Sequence, residues 1–122
     1  MPPALWHACS QGRLADVSLL LEQAAAVDEL NEDGRSALYT SCLLGHVECA
    51  RLLLTAGAVA NLPYQRDGCT PLHAACYKDR PTVVQLLIGA KAAVDKCNME
   101  GDSPLLTACW FGHAQCAEQL LA

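Results

Sequence analysis

A chain of 122 residues suffices for one domain, and with 52% apolar and 17% charged residues it is too apolar and too weakly charged for disorder. A net charge of −5 with eight Lys and Arg leaves no basic footprint for nucleic acid, and with only 5% aromatics the core must be aliphatic. No apolar run approaches the roughly 18 residues of a membrane span, and Met1–Leu5 lacks the charged and apolar regions of a secretory signal, so a cytoplasmic or nuclear protein is expected.

The first unit opens at Ala4-Leu5, and its pattern returns three times. Cys9, Cys42, Cys76 and Cys109 stand 33, 34 and 33 residues apart. Leu5, Leu38, Leu72 and Leu105 keep the same register, as do Gly12, Gly45 and Gly112, with Asp79 in the remaining place. Leu19-Leu20-Leu21 of the first unit matches Leu52-Leu53-Leu54 and Leu86-Leu87-Ile88. In the second unit Ser36 is an N-cap for a helix over about 37–44, Gly45 breaks it, and a second helix runs over about 47–56 to Gly57, a C′ glycine. On that second helix Glu48, Arg51 and Thr55 form one polar stripe and apolar residues fill the other faces. The connection Asn61–Asp67 then carries one extra residue and Pro63. Thr70-Pro71 opens the third unit and Ser103-Pro104 the fourth, each an N-cap followed by proline at the first helical position. Ala24 and Lys91 occupy the place of Gly57, which is unfavourable if that backbone needs φ > 0. The units span about 1–33, 34–67, 68–100 and 101–122 of a single domain. Helices this short are unstable alone, so stacked neighbours must hold them.

The period and the string Asp67-Gly68-Cys69-Thr70-Pro71-Leu72-His73-Ala74-Ala75 resemble the ankyrin repeat family over essentially the whole chain. So do Leu44-Gly45-His46-Val47-Glu48 and Leu52-Leu53-Leu54-Thr55-Ala56-Gly57-Ala58. The resemblance implies an all-α solenoid of helix–turn–helix units with β-turn fingers, its inner helices and fingers lining a concave groove. It implies a protein–protein interaction module, not an enzyme, that binds another protein or a peptide; as a fragment the chain is expected to be monomeric. It also implies that His73 hydrogen-bonds at the base of a finger. The Cys-rich wording of the third unit is similar to the arrays of SOCS-box ubiquitin-ligase substrate receptors. The fourth unit stops at Ala122 within its second helix, so the chain is expected to belong to a longer protein.

Two cysteine constellations invite a rival function. Cys42, His46, Cys49 and Cys109, His113, Cys116 both read Cys-x3-His-x2-Cys, the donor types of a zinc site. Each set has three ligands around a helical bend, where the family places small apolar residues, so packing is the simpler role and no metal or cofactor is expected. The four repeated thiols fall in successive layers about 10 Å apart, beyond disulfide reach. Cys69 and Cys97, on or beside fingers, are the candidates for oxidation. A redox-sensing or zinc-sensing protein on the same fold is the alternative, and only Lys96 beside Cys97 supplies the electropositive surroundings it needs.

Family contacts come from finger tips and the ends of inner helices. The corresponding pairs here are Ser10-Gln11, Leu43-Leu44, Tyr77-Lys78 and Trp110-Phe111. Three successive repeats thus set apolar residues along one strip, which either faces a partner or folds under the helix bend and packs. On the fingers, Arg35, Arg66, Cys69, Met99 and Asp102 are the expected contacts. Glu32, Asp33, Asp67, Glu100 and Asp102 outnumber Arg35 and Arg66 there, five to two, which suits a partner with an apolar anchor and basic residues. Asn61 ends a turn that the family uses to stabilise a finger, and some such Asn residues are substrates of an asparaginyl hydroxylase. Leu53, eight residues earlier, fits that substrate pattern.

Overall fold

The computed structural model describes residues 4–122. Among the described residues eight α-helices follow in pairs: α1 Leu5–Ser10 with α2 Leu14–Glu22, α3 Ala37–Leu44 with α4 Val47–Thr55, α5 Pro71–Tyr77 with α6 Pro81–Gly89, and α7 Pro104–Trp110 with α8 Ala114–Leu121. Odd-numbered helices pack on odd and even on even from one pair to the next, so the pairs stack as an all-α solenoid. Among the described residues the one β-type pairing is a bridge between Leu30 and Ser36, at the base of the first finger.

The inner helices start where their caps direct them. Ser36 Oγ accepts the Tyr39 N–H at 3.0 Å and Ser103 Oγ the Leu106 N–H at 3.1 Å. Pro71 and Pro104 follow their caps at N1, where a missing N–H is harmless. At the other end, Gly12 sits at φ +66°, which glycine adopts without strain, and a Cβ there would meet the His46 ring at 2.9 Å, so a side chain would need that ring to shift. Ala24 and Lys91 do adopt the left-handed region, at φ +61° and +65°, and Asp79 joins them at +56°. Each of these side chains costs about 1 kcal/mol relative to glycine.

The core is a continuous aliphatic stripe. Leu38 and Leu72 lie buried between layers with Val17, Leu53, Val84 and Leu87 from the outer helices. Cys9, Cys42 and Cys76 of the inner helices are fully buried in this core, as small apolar residues would be.

Side chains from one layer satisfy carbonyls and amides of the next. His46 Nε2 lies 3.3 Å from the Ser10 carbonyl, and His113 Nδ1 lies 2.9 Å from that of Cys76. Asp28 Oδ1 accepts the Val59 N–H at 2.9 Å, and Asn61 Oδ1 accepts the Ala93 N–H at 2.8 Å. These bonds fix the register of stacking, which apolar contact alone leaves free to slide.

Candidate interaction groove

The fingers are closed by hydrogen bonds of their own. Asn31 Oδ1 accepts the N–H groups of Asp33 and Arg35 at 2.9 and 3.0 Å, and Asn98 Oδ1 does the same for Glu100 and Asp102. The middle finger has Gln65 in that slot and closes differently. There the Tyr64 N–H donates to the Cys69 carbonyl at 2.7 Å, and Asp67 Oδ1 takes the Cys69 N–H at 2.9 Å. The Met99 N–H donates to the Asp67 carbonyl at 2.9 Å, so the second and third fingers are joined edge to edge.

The extra residue in that middle finger has a structural consequence that composition does not announce. It lets Tyr64 turn inward and become buried against Tyr39, with ring centroids 5.5 Å apart. The Arg35 guanidinium lies over both rings, 4.9 Å from Tyr64 and 5.7 Å from Tyr39.

Between the fingers and inner helices lies a groove of about 840 Å3. Its helix wall carries Leu43, Tyr77, Lys78, Trp110 and Phe111, and its finger wall carries Arg35, Cys69 and Asp102. Tyr77 and Phe111 meet edge to face at 4.9 Å, and Lys78 Nζ lies 5.2 Å from the Tyr77 ring. Trp110 is 80% exposed, while Tyr77 and Phe111 are about half exposed at 47% and 48%. These three rings therefore do not fold under the bend and pack away.

Three expected contacts fall outside the groove. Leu44 is exposed but does not line it: it is the last residue of α3 and lies about 100° further round the helix than Leu43. Arg66 and Met99 are exposed at finger tips, beyond the lining. In their stead the groove takes in Tyr39, Tyr64, Asp67, Asn98, Glu100 and Leu106. Tyr39 and Leu106 share the register of His73, a repeat-position signal that could have found them. Tyr64 has no such signal, since an inserted residue puts it there.

His73 is buried and works as a structural bridge. Its Nδ1 accepts the Thr70 N–H at 3.0 Å, closing a capping box with histidine in the place of the usual Glu or Gln. That leaves the proton on Nε2, which donates to the Asp102 carbonyl at 2.8 Å. The helix start of one repeat is thereby tied to the finger of the next.

All eight cysteines are free thiols. Burial pushes the Cys9 and Cys76 thiols up to about 12 and those of Cys69 and Cys116 up to about 11. Cys42 and Cys49 are raised by burial too. Cys69 is half-buried, and the accessible thiols are Cys97 and Cys109, the latter because its helix end faces no further layer among the described residues. An aromatic disulfide reagent should therefore modify two thiols fast, Cys69 slowly and the other five only on unfolding. Fast reaction of five or more in the folded protein would overturn that burial pattern. Among the described residues no three His, Cys, Asp or Glu side chains converge as metal ligands.

A family model of ankyrin repeats in three copies matches residues 2–64 and 59–122. The chain is 39% identical over 105 residues to the ankyrin repeat and KH domain-containing protein mask of Drosophila melanogaster, covering 84% of this chain and 3% of that protein. It is 35% identical over 106 residues to human ankyrin repeat and SOCS box protein 16, covering 87% of this chain and 23% of that protein. With the mouse nuclear factor NF-kappa-B p105 subunit it shares 31% identity over 119 residues, 94% of this chain and 12% of that one. The chain thus spans less than a quarter of each of these relatives. Period, helix pairing, fingers and family match agree: this chain belongs to the ankyrin repeat family.

Proposed function

We propose that this chain is a protein-interaction module that holds a partner protein or peptide in its concave groove, as the recognition part of a larger scaffold or adaptor. Ankyrin repeats are protein-interaction modules, and among the described residues no helix is long and apolar enough to cross a membrane. The observation that carries the groove assignment is Trp110, an indole 80% exposed beside Tyr77 and Phe111 on one wall. Isolated apolar residues on a surface are ordinary, but a contiguous aromatic strip inside a concavity has the anatomy of an interface centre. The relative that carries a SOCS box makes a ubiquitin-ligase adaptor one form of this role. Free thiols throughout favour a reducing compartment, the cytoplasm or nucleus. The rival redox or zinc sensor has little support, because six thiols are held protonated by burial. At Asn61 the side-chain carbonyl is engaged by the Ala93 N–H, which supports finger stabilisation as its role, with hydroxylation secondary.

Affinity capture from cell lysate with the parent and a Tyr77→Ala/Trp110→Ala variant tests the assignment. A specific partner should be retained by the parent and reduced at least about tenfold by the variant, at unchanged Tm, since aromatic hot spots each contribute about 2 kcal/mol or more. Equal recovery by both proteins would place binding elsewhere on the repeats.

A further inference from the structure

The two walls of the groove have opposite chemistry. The helix wall is apolar and aromatic, from Leu43 through Tyr77 to Phe111 and Trp110. The finger wall presents the carboxylates of Asp67, Glu100 and Asp102. Among the described residues the ion pairs are Arg13–Asp16 and Arg51–Glu48, so none of these three carboxylates has a cationic partner. Asp67 has one oxygen engaged by the Cys69 N–H, and the Asp102 contact with His73 uses the backbone carbonyl and leaves its carboxylate free.

The groove also has two cations, but both are committed to aromatic faces. Arg35 is held by Tyr39 and Tyr64, and Lys78 lies over Tyr77. Neither reaches a carboxylate within ion-pair distance. Asn98 clamps the backbone at Glu100 and Asp102, so the backbone that carries this acidic rim is ordered in advance and only side-chain freedom is lost when it is engaged.

An extended chain sends successive side chains to opposite sides, with a period of two. Laid along this groove, it shows every other residue to the rings and the residues between to the carboxylates. We propose that the groove receives an extended segment of another protein in which apolar side chains alternate with lysine or arginine. This rests on the groove reading above and adds the chemistry and the conformation of the occupant.

Fluorescence anisotropy with three labelled peptides tests it on the whole chain. One alternates leucine and lysine over about nine residues, roughly 30 Å when extended. The second has the same composition in two blocks, and the third has glutamate for lysine. The alternating lysine peptide should bind about tenfold or more tighter than either of the others, and weaken as salt rises from about 50 to about 300 mM. Glu100→Gln/Asp102→Asn, near-isosteric and checked for unchanged Tm, should weaken it about tenfold, the effect of losing charge pairing. Equal binding of the glutamate peptide, or no effect of the double variant, overturns the charge assignment. Equal binding of the blocked peptide overturns the alternation. If no peptide binds while Tyr77→Ala/Trp110→Ala still abolishes capture of a cellular partner, this inference fails and the groove reading stands.

Discussion

Replacing Leu72 with alanine is expected to destabilise the domain by about 2–5 kcal/mol, the range for a leucine deleted from a packed core. Leu72 is 1% exposed and belongs to an interior repeat, so its side chain packs in the layer shared with neighbours on both sides. In a solenoid each unit is stabilised only by the units it touches, and weakening an interior one loosens two interfaces at once. The equivalent leucines grade the effect. Leu38 is equally buried, Leu5 is 6% exposed, and Leu105 is half-buried at the last described layer. Leu38→Ala should therefore match Leu72→Ala, and Leu105→Ala should be clearly milder. Thermal unfolding followed by circular dichroism measures this. A Leu105→Ala loss as large as that of Leu72→Ala would contradict the packing gradient.

Removing His73 should have the next largest effect, about 2–4 kcal/mol for His73→Ala. Two hydrogen bonds disappear, and the Thr70 N–H and Asp102 carbonyl lose partners they cannot easily replace. Glutamine at the same position can restore the capping box but lacks the reach of the imidazole to Asp102, so His73→Gln should recover about half of the loss. The same residue gives stability a pH dependence. Burial lowers the His73 pKa below its ordinary 6.5, outweighing the opposing influence of the Asp102 hydrogen bond and of Asp67 and Asp102, while Lys96 lowers it further. Nδ1 must stay unprotonated to accept from Thr70, so the folded state resists a proton that the unfolded state takes up readily. The stabilisation is complete above 6.5 and is lost as pH falls from there through the lower folded value. Wild-type Tm should drop more between pH 7.5 and 5 than that of His73→Gln. Parallel curves for the two proteins would show that the imidazole titrates no differently folded and unfolded.

Repeat count, helix pairing, caps and the left-handed corners at Ala24 and Lys91 were legible in the sequence. Caps and corners are local: a Ser or Thr before Pro and a glycine or its substitute at a fixed offset each constrain a few neighbouring dihedral angles, while a period near 33 residues marks the positions that are equivalent from unit to unit. The helix wall of the groove was legible for a related reason. Leu43, Tyr77, Trp110 and Phe111 occupy repeated positions, so aligning the units places them on one surface.

Tertiary structure decided the rest. Nothing in the sequence says that the inserted residue near Pro63 turns Tyr64 onto Tyr39 and beneath Arg35, since that depends on how two fingers and a helix meet. Nor does the repeat pattern say that Leu44 leaves the groove while its neighbour Leu43 stays. Cys109 shares the register of Cys9, Cys42 and Cys76 yet is exposed, because burial belongs to the layer stacked on a residue and not to its position within a repeat. Periodicity determines which side chains are equivalent; only packing against the next layer determines which of them meet water.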